Sequence, residues 1–234
     1  MQPENPNNYT LPQGEKDIEI YQKSKQITIE FIDELNKKAF LKEHVTLEED
    51  ALTKKVLDRV NSEAKSIAKL EKLFNENKIQ SLFDDVLKHG IDQNDIMNYY
   101  MGLLAHQILD VFELFKKYFV IALAKEQLEL RGNPALGRIF NQLERKNVKH
   151  RFFEIIDMDL RNALGHGWYW WQNSKFYYTT DPDLKRTRDM TLGELFVKIR
   201  QTSLFTRAFT DNAFERIIEI KRNKSNVPKG SRNR

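Results

Sequence analysis

The chain has 234 residues and no cysteine, which excludes disulfide scaffolds and thiolate metal sites and allows one large domain or a core with an extension. Aromatic residues make up 11% of it, too many for a disordered protein. The net charge of +4 sits at one end: Lys221, Arg222, Lys224, Lys229, Arg232 and Arg234 share a stretch with no acid, and the rest carries 32 basic against 34 acidic side chains.

Residues 1–14 are rich in Asn, Pro and Gln and read as a frayed terminus without the basic and apolar regions of a signal peptide. The most apolar stretch, 118–124, is too short to span a bilayer, so the expectation is a cytoplasmic protein with no membrane partner. Residues 16–40 place Ile18, Tyr21, Ile27, Phe31 and Leu35 on a loose helical face. Thr46 and Glu49 form a capping box, in which each side chain satisfies the other's backbone N–H. The helix it opens runs to about 75, with Leu52, Val56, Val60, Ile67 and Leu70 on one stripe. A short helix over 80–89 stops at Gly90.

A long helix over 95–130 is apolar nearly all round, which suits the centre of a bundle. Its His106 reads as a satisfied core histidine, and its Asp110 and Glu113 are acids that a bundle could bring to Arg161. Further helices are expected over 136–147 and 150–164. Aromatic runs at 168–171 and 176–178 flank Gln172-Asn173-Ser174-Lys175 and predict a β-hairpin over 168–180. Thr191 and Glu194 form a second capping box opening helices to about 221.

Chemistry concentrates in Asp159-Leu160-Arg161-Asn162-Ala163-Leu164-Gly165-His166-Gly167. Asn162 and His166 share a helix face, and Arg161 is their neighbour. Asp157, four residues before Arg161, is spaced to pair with its guanidinium. No side chain from Gly165 or Gly167 crowds the imidazole. Metal-free RNA cleavage needs such a set: a group that moves protons at the 2′-OH or the 5′ oxygen, and a fixed cation for the charged phosphorane. Histidine titrates in the useful range, and arginine matches phosphate oxygens bidentately. The same Arg-to-His separation recurs at Arg145 and His150, but in a charged linker and with lysine after the arginine.

Arg161-Asn162, three residues and then His166, late in a helical chain, resembles the signature of the HEPN superfamily: arginine, a polar residue, and a histidine four to six residues after the arginine. The resemblance spans roughly 91–180. It implies an all-α fold with a HEPN-like helical bundle, to which the sequence adds an N-terminal helical extension and the small aromatic hairpin. The divisions read from the chain are 1–90 for the extension, 91–222 for the core and 223–234 for a basic disordered tail. Many members are metal-independent endoribonucleases of toxin–antitoxin and phage-defence systems, acting as homodimers in which two motif helices face one cleft. The resemblance therefore implies an RNA substrate, cleavage to a 2′,3′-cyclic phosphate and a 5′-OH, no cofactor and no metal, and an antitoxin or nucleotidyltransferase partner. Carried over, Arg161, Asn162 and His166 are catalytic, supported by Asp157. Some toxin members place a modifiable tyrosine two residues after the histidine; here that position is Trp168, and Tyr169 follows as a supporting residue. RNA contacts fall to Trp168, Lys221, Arg222 and Lys224, since aromatic faces stack on bases and basic tails hold phosphates. Other members bind without cutting, so a non-catalytic nucleotide-, RNA- or protein-binding module is the competing expectation.

Overall fold

The computed structural model describes residues 14–42, 51–75, 78, 84, 88–91, 93–124 and 126–225. The capping box of Thr46 and Glu49, most of the helix expected over 80–89, and the tail beyond 225 lie outside the described residues. The described part is largely helical: α1 Glu15–Lys37, α2 Ala51–Asn75, α3 Gln93–Ala122, α4 Leu136–Arg145, α5 Met158–His166 and α6 Leu192–Ser225. Strands β1 Tyr169–Gln172, β2 Lys175–Thr179 and β3 Thr187–Met190 form an antiparallel sheet in the order β1-β2-β3. No helix among the described residues is long and apolar enough to cross a membrane.

The core is built on phenylalanine. Phe31 of α1, Phe115 and Phe119 of α3, Phe152, and Phe205 and Phe209 of α6 are each buried almost completely. Most of their rings meet edge-on or tilted: Phe31 and Phe152 lie 4.8 Å apart, and Phe115 and Phe209 lie 5.2 Å apart at 85°, while Phe115 and Phe119 stack at 14°. These are the offset geometries that the ring quadrupole favours. Phe31 brings α1 into the same core as α3 and α6, so the N-terminal extension expected over 1–90 is not set apart at its first helix. α1 runs parallel to α6 and is fastened to it by Asp17–Arg200, Tyr21–Asp211, Asp33–Arg216 and Asn36–Lys224.

Four local expectations need correction. α3 stops at Ala122 rather than near 130, because the chain leaves the helix to pair with residues 40–42: Lys42 N–H donates to Ala122 and Ala124 N–H to Phe40. The motif helix begins at Met158 rather than 150: residues Phe152–Glu154 form a 3₁₀ turn, and Asp157 caps the new start. The hairpin gains a third strand, β3, whose polar Thr187-Arg188-Asp189 carries no strand signal. α6 is one helix reaching Ser225, so residues 223–225, expected in the basic tail, are helical. The second capping box forms as expected: Glu194 accepts from Thr191 N–H at 2.7 Å, and Thr191 Oγ1 accepts from Glu194 N–H at 3.2 Å.

Candidate functional site

α5 has nine residues, too few to be stable alone, so its neighbours hold it. Leu160, Ala163 and Leu164 bury one face. At the start, Asp157 Oδ1 accepts from Leu160 N–H at 2.9 Å. At the end, Gly167 takes the left-handed conformation (φ 69°), and Trp168 N–H donates to Ala163 at 2.8 Å. This closure satisfies carbonyls that the last turn leaves open. It fixes His166 on the final turn, exposed to solvent.

Arg161 does not pair with Asp157. Its guanidinium donates from Nη2 to Glu113 Oε1 on α3 at 3.2 Å, and Nη1 lies 3.4 Å from Asn162 Oδ1. Glu113 Oε2 also faces Lys116 Nζ at 2.5 Å. Asp157 is unavailable to Arg161 because it is the N-cap, and its Oδ2 accepts from the Tyr178 hydroxyl at 3.2 Å. The Arg161 Nε is buried with no acceptor. A Cβ placed on Gly165 would stand 3.6 Å from Arg161 Nη1, so the guanidinium passes over this glycine, one residue before His166. The Arg161 guanidinium is thus held over Gly165 and against Glu113 of α3.

The His166 ring lies 4.9 Å from Trp168, tilted by 30°. Trp168 therefore borders the imidazole directly. Tyr169 turns to the opposite face of the strand and stacks on Phe176 at 5.7 Å against the core, so it does not join His166. Lys221, Arg222 and Lys224 are also away from the motif. Lys198 approaches Asp157 at 3.7 Å, and 26 helical residues separate it from Lys224, about 39 Å along α6. Lys224 instead donates to Asn36 on α1.

A second polar cluster surrounds the start of α5. Asp157, Tyr178, Arg188 and Lys198 line a cleft between the sheet and α6, and Arg188 also reaches Asp159 at 2.7 Å. Burial, and next the Asp157 charge, push the Tyr178 hydroxyl above its ordinary pKa, so it stays a proton donor to Asp157. β2, β3 and α6 supply these partners from distant sequence positions, and no local spacing signals them. Glu113 is one of the two acids of the long helix expected to reach Arg161, and it is the one that does. His106 is exposed rather than a core residue, and it approaches Asp110 at 3.8 Å while Arg59 grips the same carboxylate in a fork at 2.7 Å. Among the described residues no group of three His, Asp or Glu side chains is arranged to hold a metal ion.

No family model, no curated protein and no solved structure matches this chain.

Proposed function

We propose that this protein is a metal-independent endoribonuclease of the toxin or phage-defence type, with its centre at the end of α5. The carrying observation is that the Arg161 guanidinium crosses Gly165, one residue before His166 in the chain, and is held by Glu113. In-line transesterification requires a fixed cation and a solvent-exposed imidazole, and one short helix carries both. The ribose 2′-oxygen attacks phosphorus and loses its proton, the P–O5′ bond breaks, and the 5′ oxygen takes up a proton. The products are a 2′,3′-cyclic phosphate and a 5′-OH. Arg161 stabilises the phosphorane, His166 moves a proton, and Asn162 steadies the guanidinium. A homodimer with two motif helices facing one cleft would supply the second proton carrier. The resemblance to the HEPN signature supports the same reading, and with it a cytoplasmic setting and an antitoxin or nucleotidyltransferase partner.

One observation favours a non-catalytic HEPN-like binding module instead. Arg161 is engaged by Glu113, and its Nε is buried, as expected of a structural anchor. The two readings separate in one assay. Purified protein is incubated with tRNA and total RNA in EDTA beside Arg161→Ala and His166→Ala, and the ends are mapped. Cleavage to cyclic phosphate, lost in both variants while the fold and oligomeric state persist, supports the nuclease. Cleavage that EDTA stops, or that both variants retain, overturns it.

A further inference from the structure

The three-stranded sheet has two aromatic faces, and only one is used by the core. Tyr169, Trp171, Phe176 and Tyr178 pack inward. Strand alternation sends Trp168, Trp170 and Tyr177 the other way. Thr179 N–H donates to the Trp168 carbonyl at 3.1 Å, so Trp168 already belongs to the β1–β2 ladder, and Trp170 pairs with Tyr177 in register. The Trp170 and Tyr177 rings are stacked, 5.5 Å apart and 8° from parallel. None of the three outward rings joins the apolar core cluster.

This row begins at the proposed catalytic histidine. His166 lies against Trp168, and Trp170 follows two residues along the same strand face, roughly 7 Å on. That pitch is about twice the 3.4 Å per nucleotide of a stacked strand. A helical duplex cannot present successive bases at that interval, because its bases are paired and stacked on each other. An extended single strand can, with its bases turned onto the rings. Trp168 is exposed and Trp170 and Tyr177 are half-buried, so the π surface open to a base is that of Trp168 and the outer faces of the stacked pair; stacking of this kind is sequence-tolerant.

We infer that the outward face of the sheet, Trp168 with the Trp170–Tyr177 pair, is a stacking platform for unpaired bases of an RNA strand flanking the scissile phosphate. The inference rests on the nuclease reading for its register, and it makes the substrate a single-stranded segment. Cross-strand aromatic pairs also stabilise hairpins on their own account, so the test must separate binding from folding.

The probe is a fluorescein-labelled 2′-O-methyl oligouridine, which cannot be cleaved through its 2′ oxygen, titrated with the full chain beside its duplex with oligoadenosine. Anisotropy reports binding, and quenching of tryptophan emission reports stacking. The single strand should bind with quenching and the duplex at least tenfold more weakly. Trp170→Ala and Tyr177→Ala should each weaken binding of the single strand roughly 5- to 150-fold, while Trp170→Phe, which keeps a ring, retains most of it. Melting curves identify any variant that has lost its fold. Equal affinity for strand and duplex, folded alanine variants that bind like the parent, no binding of the single strand, or a face closed by a second copy of the chain would each overturn the platform. Cleavage in EDTA by folded Trp170→Ala at the parental kcat/KM would also overturn it and leave the nuclease standing. Platform-dependent binding with no cleavage of any RNA would remove the nuclease and leave the platform.

Discussion

Arg161 on α5 and Glu113 on α3 stand 48 positions apart in sequence and meet at 3.2 Å. The contact ties the motif to α3, which carries Phe115 and Phe119 of the core, and sets the guanidinium's direction. Glu113→Ala should leave Arg161 free to swing. Both side chains are partly exposed, so the loss of stability should be about 1 kcal/mol or less. The loss of cleavage should be larger, on the order of tenfold or more, because a misplaced cation no longer meets the phosphorane. Turnover and melting measured together check this: a large fall in Tm with parental kcat would contradict it.

Gly165 gives a graded test. A methyl group at this position would meet its neighbours only at ordinary van der Waals distances, so Gly165→Ala should be accepted and should gain up to about 1 kcal/mol of helix propensity. Gly165→Val adds branches on the guanidinium's side and should cut cleavage while the fold survives. Gly167→Ala differs, because its φ of 69° penalises any Cβ; it should cost about 1 kcal/mol and disturb the His166–Trp168 contact. Thermal melts and cleavage rates across the three variants give the order.

Asp157 should matter through the helix it starts. Asp157→Ala removes the cap and leaves the Tyr178 hydroxyl without its carboxylate, for a loss of roughly 1–2 kcal/mol. Asp157→Asn can still cap and should recover most of it. Chemical denaturation of the two variants would show the difference, and equal losses would mean that the charge rather than the cap carries the effect.

His150 should make the protein acid-sensitive. Its ring lies among Phe140, Phe152 and Phe153, and burial lowers its pKa below the ordinary value. The unfolded chain takes up that proton near pH 6.5 and the folded chain only at lower pH. Between those points the unfolded state binds more protons, so stability falls as pH drops below about 6.5, with no contribution above it. His150→Leu should flatten Tm over pH 7.5 to 5.5, and a parental slope in that variant would count against the assignment.

Glu71 should act in the opposite sense. Burial raises its pKa, against the pull of Arg200 and with the push of Asp17. Its ionised form is therefore a burden at neutral pH, relieved as pH falls through its raised folded value toward about 4.5. Glu71→Gln should raise Tm at pH 7 by roughly a degree or two, and the gain should shrink in acid. A lower Tm at pH 7 would show that its attraction to Arg200 outweighs the burial.

What is legible in the sequence follows the range of the forces involved. The amphipathic run of α4, the Thr191–Glu194 capping box and the aromatic hairpin are set by neighbours within a few residues, and local pattern carries them. Arg161, Asn162 and His166 are legible as residue types at a spacing. The partner of Arg161 is legible only as one of the acids of the long helix; tertiary packing selects Glu113 over Asp110, which Arg59 takes instead. Asp157 has two locally reasonable roles, and the shorter-range one, capping, takes it away from Arg161. β3 escapes a local reading because Thr187-Arg188-Asp189 is strand only by pairing with β2.

The clasp between α1 and α6 sets an order of events during synthesis. Asp17 meets Arg200 and Asp33 meets Arg216, each across 183 positions. Ile27, Phe31 and Leu35 leave the ribosome more than 150 residues before α6, whose buried side chains share their core, is made. Over that interval the stripe can meet Phe119 and Phe152 but not α6, which makes the nascent chain a natural client for chaperones and makes the clasp a long-range step.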